Sequence, residues 1–179
     1  DDRPMVELVV ELAGRLGAER VVVAVGWQKE SVITHLAGTF PKARCVEQIP
    51  QLGTGHAVMQ AEPPLQDFDG DVLVLSGDVP LLRLETLTVL LDAHRTGGVT
   101  ATVLTAKLAD PTGYGRIIRD GAGRVTRIVE QKDASEAERA VDEINSGIYV
   151  FDARRLFEGL RSITPNNAQK EYLLTDVFA

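Results

Sequence analysis

Residues 71–82, Asp-Val-Leu-Val-Leu-Ser-Gly-Asp-Val-Pro-Leu-Leu, constrain the fold more than any other stretch of the chain. Val72 to Leu75 is continuously apolar, without the alternation of a strand that shows one face to water. Such a strand needs cover on both faces, and in an α/β protein helices supply it. The run breaks abruptly into Ser76, Gly77, Asp78 and Pro80, which puts a carboxylate at the carboxyl end of a central strand. There the loops of an open α/β sheet diverge and leave a crevice for ligands. Asp78 in that crevice suits Mg²⁺, a hard cation that prefers carboxylate and phosphate oxygens. The other reading of Asp78 is a cap on the turn or on the helix that follows.

The elements on either side agree with that fold class. Met5, Leu8, Val9, Leu12, Ala13 and Leu16 recur at helical spacing, and Gly17 stands where the helix stops. Strands are predicted at 21–25 and 44–47, with a short helix at 31–36 between them. A glycine-bearing loop at 51–55 leads into a helix at 56–61, which Pro63 and Pro64 end. After the organising strand come a helix at 84–94, stopped by Gly97-Gly98, and a strand at 100–104. Strand and helix in alternation predict right-handed crossovers and a Rossmann-like, mostly parallel mixed sheet with flanking helices.

Beyond Lys107 the pattern changes. Residues 115–119 and 124–130 read as a hairpin closed by Asp120-Gly-Ala-Gly123, and 132–142 as a polar surface loop with a helical turn. A strand at 144–151, a helix at 154–160 and the start of a last helix at 171–178 follow. The second half is therefore expected as an antiparallel annex on the sheet edge. The chain opens on a helix, whereas a doubly wound domain normally opens on a strand, so a first strand is expected to precede Asp1.

Composition excludes several classes of function. With a net charge of −7 and no block of Lys or Arg, neither a nucleic acid nor an anionic membrane is an expected partner. The single Cys45 rules out an internal disulfide framework and fits a reducing cytosol. No apolar run is long enough to span a bilayer, so the expected location is cytoplasmic.

Several short motifs have a chemistry of their own. Gln51-Leu-Gly-Thr-Gly-His-Ala57 sets Gly53 and Gly55 around Thr54 before a helix, where backbone N–H groups can approach a flat base or an anion. The same pattern makes an ordinary loop with Thr54 as N-cap. His56 reads as structural rather than as a catalytic base. Gln48 carries a donor and an acceptor and can read a pyrimidine edge, or is simply a surface glutamine. In Asp110-Pro-Thr-Gly-Tyr-Gly-Arg-Ile117 the glycines flanking an aromatic mark either a close backbone approach to a ligand or a turn entering the hairpin. Glu130 and Asn145, one at a strand end and one at a strand start, suit sugar hydroxyls, with solvent exposure as the alternative.

In order along the chain these motifs, with Asn166-Asn-Ala-Gln169, Glu171-Tyr172 and Leu174-Thr-Asp176, resemble one family. It is the nucleotidyltransferase domain of the bacterial bifunctional N-acetylglucosamine-1-phosphate uridylyltransferases and glucosamine-1-phosphate acetyltransferases. The resemblance covers essentially the whole chain and implies a nucleotide-diphospho-sugar transferase fold in one domain. Residues 1–107 would bind the nucleotide and 108–179 the sugar. It implies Mg²⁺-dependent transfer of uridylyl from UTP to N-acetylglucosamine 1-phosphate, giving UDP-N-acetylglucosamine, a cell-wall precursor, and pyrophosphate. Gln48, Gly53 and Thr54 would recognise uracil, and Ser76, Gly77 and Asp78 would lie beside ribose and phosphates. Asp78 would be the catalytic metal ligand. Gly115, Glu130 and Asn145 would hold the sugar, with Tyr172 and Thr175 as pocket neighbours.

Some of the family's pattern has no counterpart here. The Gly-rich loop with Arg and Lys that grips the triphosphate, a second metal-binding Asn, and the hexapeptide-repeat β-helix that carries acetyltransfer and trimerises the family are not matched. The expectation is a domain truncated at both ends and impaired in catalysis, from a homotrimeric parent. Two alternatives remain open: a nucleotidyltransferase for another sugar phosphate, and a non-catalytic regulatory module that binds nucleotide sugars.

Overall fold

A computed structural model describes residues 2–178. The organising run becomes β3 (Asp71–Val74), and its side chains alternate between two apolar layers. Leu73 and Leu75 pack with Leu87 and Leu90 of α5 (Leu84–Gly97) and Leu12 of α1 (Met5–Arg15). Val72 and Val74 pack on the opposite side with Leu156, Phe157 and Leu160 of α7 (Ala153–Leu160). A period of two splits the strand between the faces, so helical cover on both sides follows from the sequence.

β3 is nevertheless not the central strand. That place belongs to β7 (Glu143–Asp152), which pairs antiparallel with β3, with β4 (Ala101–Lys107) and, at Ile144, with β5 (Arg116–Arg119). β7 contributes Ile148 and Val150 to one layer and Tyr149 and Phe151 to the other, all at most 4% exposed. β3 pairs on its β7 side alone among the described residues, and its residues are only half-buried. The annex expected on the sheet edge thus supplies the spine of the sheet. β3 and β4 run the same way on either side of β7, and the hairpin of β5 and β6 (Val125–Val129) joins β7 at Ile144, opposite β4 and therefore on the β3 side. β1 (Val22–Val25) and β2 (Arg44–Glu47) form a separate parallel pair.

Helix boundaries differ from expectation where local chemistry decides them. α2 runs over Lys29–Thr39 and α3 over Thr54–Met59, so α3 begins before His56. Pro63 and Pro64 do not terminate a helix; they lie in the first turn of α4 (Glu62–Leu65), where a missing N–H costs nothing. The predicted turn within 132–142 is α6 (Glu136–Arg139), held by a capping box between Ser135 and Glu138. The expected last helix is narrower, a 3₁₀ turn at Leu174–Phe178. The preceding residues are instead fixed by side chains: Asn167 Nδ2 donates to Glu171 O at 2.6 Å, and Asn167 Oδ1 accepts from the backbone N–H groups of Gln169 and Glu171.

Candidate functional site

The loop after β2 is built by backbone contacts with the end of the chain. Gln48 N donates to Val25 O at 2.8 Å, which extends the β1–β2 ladder by one bond and fixes Gln48 at the carboxyl end of both strands. Its side-chain Nε2 donates to Gly53 O at 2.8 Å. Gly53 caps α3 at φ +109°, and a Cβ there would fall 2.6 Å from Tyr172 O, so only glycine fits. Tyr172 N donates to Leu52 O and Gly55 N to Tyr172 O, both at 2.8 Å. Thr54 is the first residue of α3 rather than its N-cap, and its hydroxyl accepts from Leu174 N at 3.0 Å.

The same C-terminal segment reaches a second group. Thr175, 4% exposed, donates through Oγ1 to Glu130 Oε1 at 3.2 Å. A Cβ on Gly115 would lie 3.4 Å from Glu130 Oε2 and 3.5 Å from Asn145 Cβ, and Asn145 N donates to Gly115 O at 2.9 Å. Gly115, Glu130, Asn145 and Thr175 therefore converge, although they come from four separate parts of the chain. Asn145 Nδ2 donates to Tyr149 Oη at 2.6 Å, while its Oδ1 accepts from Gly147 N at 3.0 Å. One N–H and one lone pair of that amide stay free for a ligand. Burial pushes the Glu130 carboxyl above its ordinary range, with Asp133 and Asp176 adding to the effect and the Thr175 bond opposing it. Burial likewise pushes the Tyr149 hydroxyl up to about 12.

Arg116 supports the turn that presents Gly115. Its guanidinium, 1% exposed, donates to Tyr114 O and, at 2.7 Å, to Gln131 Oε1. The hairpin sequence thus holds the Tyr114–Gly115 backbone against the end of β6.

The third group follows β3. Ser76 faces Gly147 of β7 so closely that a Cβ on the glycine would stand 3.2 Å from Ser76 Oγ. An added Cβ on Gly77 would meet nothing within 4 Å. Asp78 is exposed and forms no hydrogen bond or ion pair among the described residues. It caps neither the turn, which closes through Val79 N and Ser76 O, nor α5, whose N-cap is Arg83. The sequence reading named Asn145 and Gln48 but not Gly147, Tyr149 or Gln60, whose Nε2 donates to His56 O at 2.9 Å. A glycine inside the predicted strand at 144–151 was the one available signal.

A family model described as nucleotidyl transferase matches residues 1–179. The chain belongs to that family. This nucleotidyl transferase is 51% identical over 175 residues to the bifunctional protein GlmU of Geobacillus thermodenitrificans, covering 98% of this chain and 38% of the relative. It is 53% identical over 177 residues to GlmU of Pelobacter propionicus, covering 99% and 38%. The chain thus spans well under half the length of these relatives. A UDP-glucose pyrophosphorylase solved with UDP-glucose shares the fold, with a TM-score of 0.72 at 20% identity over 98% of this chain and 74% of that one.

The nucleotidyl transferase offers a metal few protein ligands: among the described residues no three His, Cys, Asp or Glu side chains could hold one together. A cation that keeps several waters takes phosphate oxygens together with only one or two carboxylates. Asp78, exposed and without a side-chain partner among the described residues, has the chemistry to be one of them. No helix among the described residues is long and apolar enough to cross a membrane.

Proposed function

We propose that the chain is a uridylyltransferase that joins UTP and N-acetylglucosamine 1-phosphate into UDP-N-acetylglucosamine and pyrophosphate. The observation that carries this reading is the continuous set of contacts from Gln48 through Gly53, Thr54 and the 172–175 segment to Glu130, Gly115 and Asn145. Identity of about half to GlmU over nearly the whole chain supports it. In this reading Gln48 and the Gly53-Thr54 loop recognise uracil, Ser76 and Gly77 lie beside ribose and phosphates, and Asp78 holds Mg²⁺. Residues 1–107 take the nucleotide and 108–179 the sugar.

A phosphate oxygen of the sugar phosphate attacks the α-phosphorus in line, the α–β bridging bond breaks, and pyrophosphate leaves with the electron pair. The attacking phosphate is already ionised at neutral pH, so the protein's task is to align two anions. Glu130 and the free valences of Asn145 hold sugar hydroxyls, and Gly115 lets backbone approach the ring. Bound Mg²⁺ supplies positive charge against the phosphates. We further infer a cytosolic enzyme, which the lone Cys45 supports, and a homotrimeric parent protein.

Calorimetric titration with UDP-N-acetylglucosamine and Mg²⁺, alongside UDP-glucose and an Asp78→Ala variant, tests the reading. Selective binding that weakens about tenfold or more in Asp78→Ala is expected. A chain that circular dichroism shows folded but that binds neither sugar nucleotide overturns it.

A further inference from the structure

The base-reading role of Gln48, on which this inference rests, depends on which end of its amide faces the ligand. The buried side chain leaves no ambiguity there. Nε2 lies 2.8 Å from the carbonyl oxygen of Gly53, an acceptor, so the nitrogen end must face it. The second N–H of the same nitrogen faces Nδ1 of His56 at 3.2 Å. Both amide hydrogens are then used inside the protein, while Oε1 accepts no hydrogen bond among the described residues.

His56 can fill this role in one tautomer. A neutral imidazole has one acceptor nitrogen, and two amides compete for it: Gln48 at Nδ1, and Gln60, whose Nε2 lies 3.3 Å from Nε2 of the ring. Gln60 Nε2 already donates to His56 O at 2.9 Å and is the less buried of the two. Gln48, 8% exposed, has no other acceptor for its second N–H. Leaving that buried donor unpaired costs more, so Nδ1 accepts and the ring hydrogen sits on Nε2.

We propose that His56 is a positioning residue which, through Nδ1, locks the Gln48 amide so that Gln48 presents only its carbonyl oxygen to the base. A carbonyl oxygen pairs with a ring-edge N–H donor. Uracil has one at N3, whereas cytosine has an acceptor at that position. His56 therefore sets base selectivity without touching the base.

The test titrates UTP and CTP, each with Mg²⁺, into the unaltered chain and into the His56→Phe and His56→Asn variants. His56→Phe keeps a ring but removes the acceptor; it should shrink the UTP preference about tenfold, the worth of one directed hydrogen bond. His56→Asn, whose Oδ1 accepts near the place of Nδ1, should restore most of the preference. An undiminished preference in His56→Phe, or an equal loss in both variants, overturns the proposal while leaving the proposed function intact. Absence of UTP binding by the folded, unaltered chain instead overturns the proposed function and this inference with it. Should His56→Phe fail to fold, long-range ¹H–¹⁵N spectra of the unaltered chain decide. The Nε2–H tautomer with Nδ1 bare supports the lock, and an Nδ1–H ring refutes it.

Discussion

Gly147 and Ser76 face each other so closely that a Cβ placed on Gly147 would stand 3.2 Å from Ser76 Oγ, a tight contact the serine would have to ease. Gly147 also has φ +78° in the middle of a strand and donates its N–H to Asn145 Oδ1. The residue thus joins the loop after β3 to the group around Asn145.

Gly147→Ala should therefore cost stability through the left-handed backbone, with the crowded serine hydroxyl shifting to make room. The backbone term alone is about 1–2 kcal/mol. Urea unfolding should show a lower midpoint at an unchanged slope. An unshifted midpoint would mean that neither the backbone angle nor the contact matters.

Thr54→Val removes the one acceptor of Leu174 N–H, a backbone donor at a residue 2% exposed. An unsatisfied buried donor costs about 1–3 kcal/mol. Thr175 follows immediately and bonds Glu130, so the substitution should weaken sugar-nucleotide binding as well as lower the melting temperature. Thr54→Ser, which keeps the hydroxyl, should behave like the unaltered chain in both measurements. A loss in the Ser variant with none in the Val variant would assign the effect to packing of the threonine methyl group instead.

How much of this was legible in the sequence differs between the two halves. The apolar run at Val72–Leu75, the hairpin around Asp120 and the strand at 144–151 were readable because periodicity and turn chemistry are local. That β7 would enter the sheet beside β3 was not, since strand order is set by contacts more than 60 residues apart in sequence. In the candidate site, Gln48, Glu130 and Asn145 were singled out by the donors and acceptors of their side chains and given roles by family resemblance. The bond from Leu174 to Thr54 was invisible, because nothing near Thr54 announces a partner 120 residues away.

Glu143 contributes to the acid side of the stability profile. Arg119 grips its carboxylate with two bonds, of 2.8 and 2.6 Å, and this lowers its pKa from the ordinary 4.5 to about 2, with Thr105 and Lys107 assisting. Because the folded-state value is depressed, the pair's stabilisation is present above pH 4.5 and is lost as pH falls towards about 2. Arg119 is 40% exposed, so solvent screening holds the contribution to about 1 kcal/mol. Glu143→Gln should lower stability at pH 7 by that amount and flatten the loss between pH 4.5 and 2, measured by urea unfolding at each pH.

Glu130 should show the opposite sign. Burial raises its folded-state pKa, so the ionised form is disfavoured in the folded chain, and stability increases as pH falls through that raised value towards the ordinary one. Glu130→Gln keeps the shape and an acceptor for Thr175 Oγ1 while removing the buried charge, and should raise the melting temperature at pH 7 by roughly 2 °C. The same change should weaken UDP-N-acetylglucosamine about tenfold, because a neutral amide accepts sugar hydroxyls less strongly than a carboxylate. For the unaltered chain, binding should begin to weaken with acid at a higher pH than an ordinary glutamate would give, and the variant should lose that dependence. Scanning calorimetry and titrations from pH 8 downwards separate the two effects. A variant that is both less stable and unchanged in affinity would remove Glu130 from the sugar site.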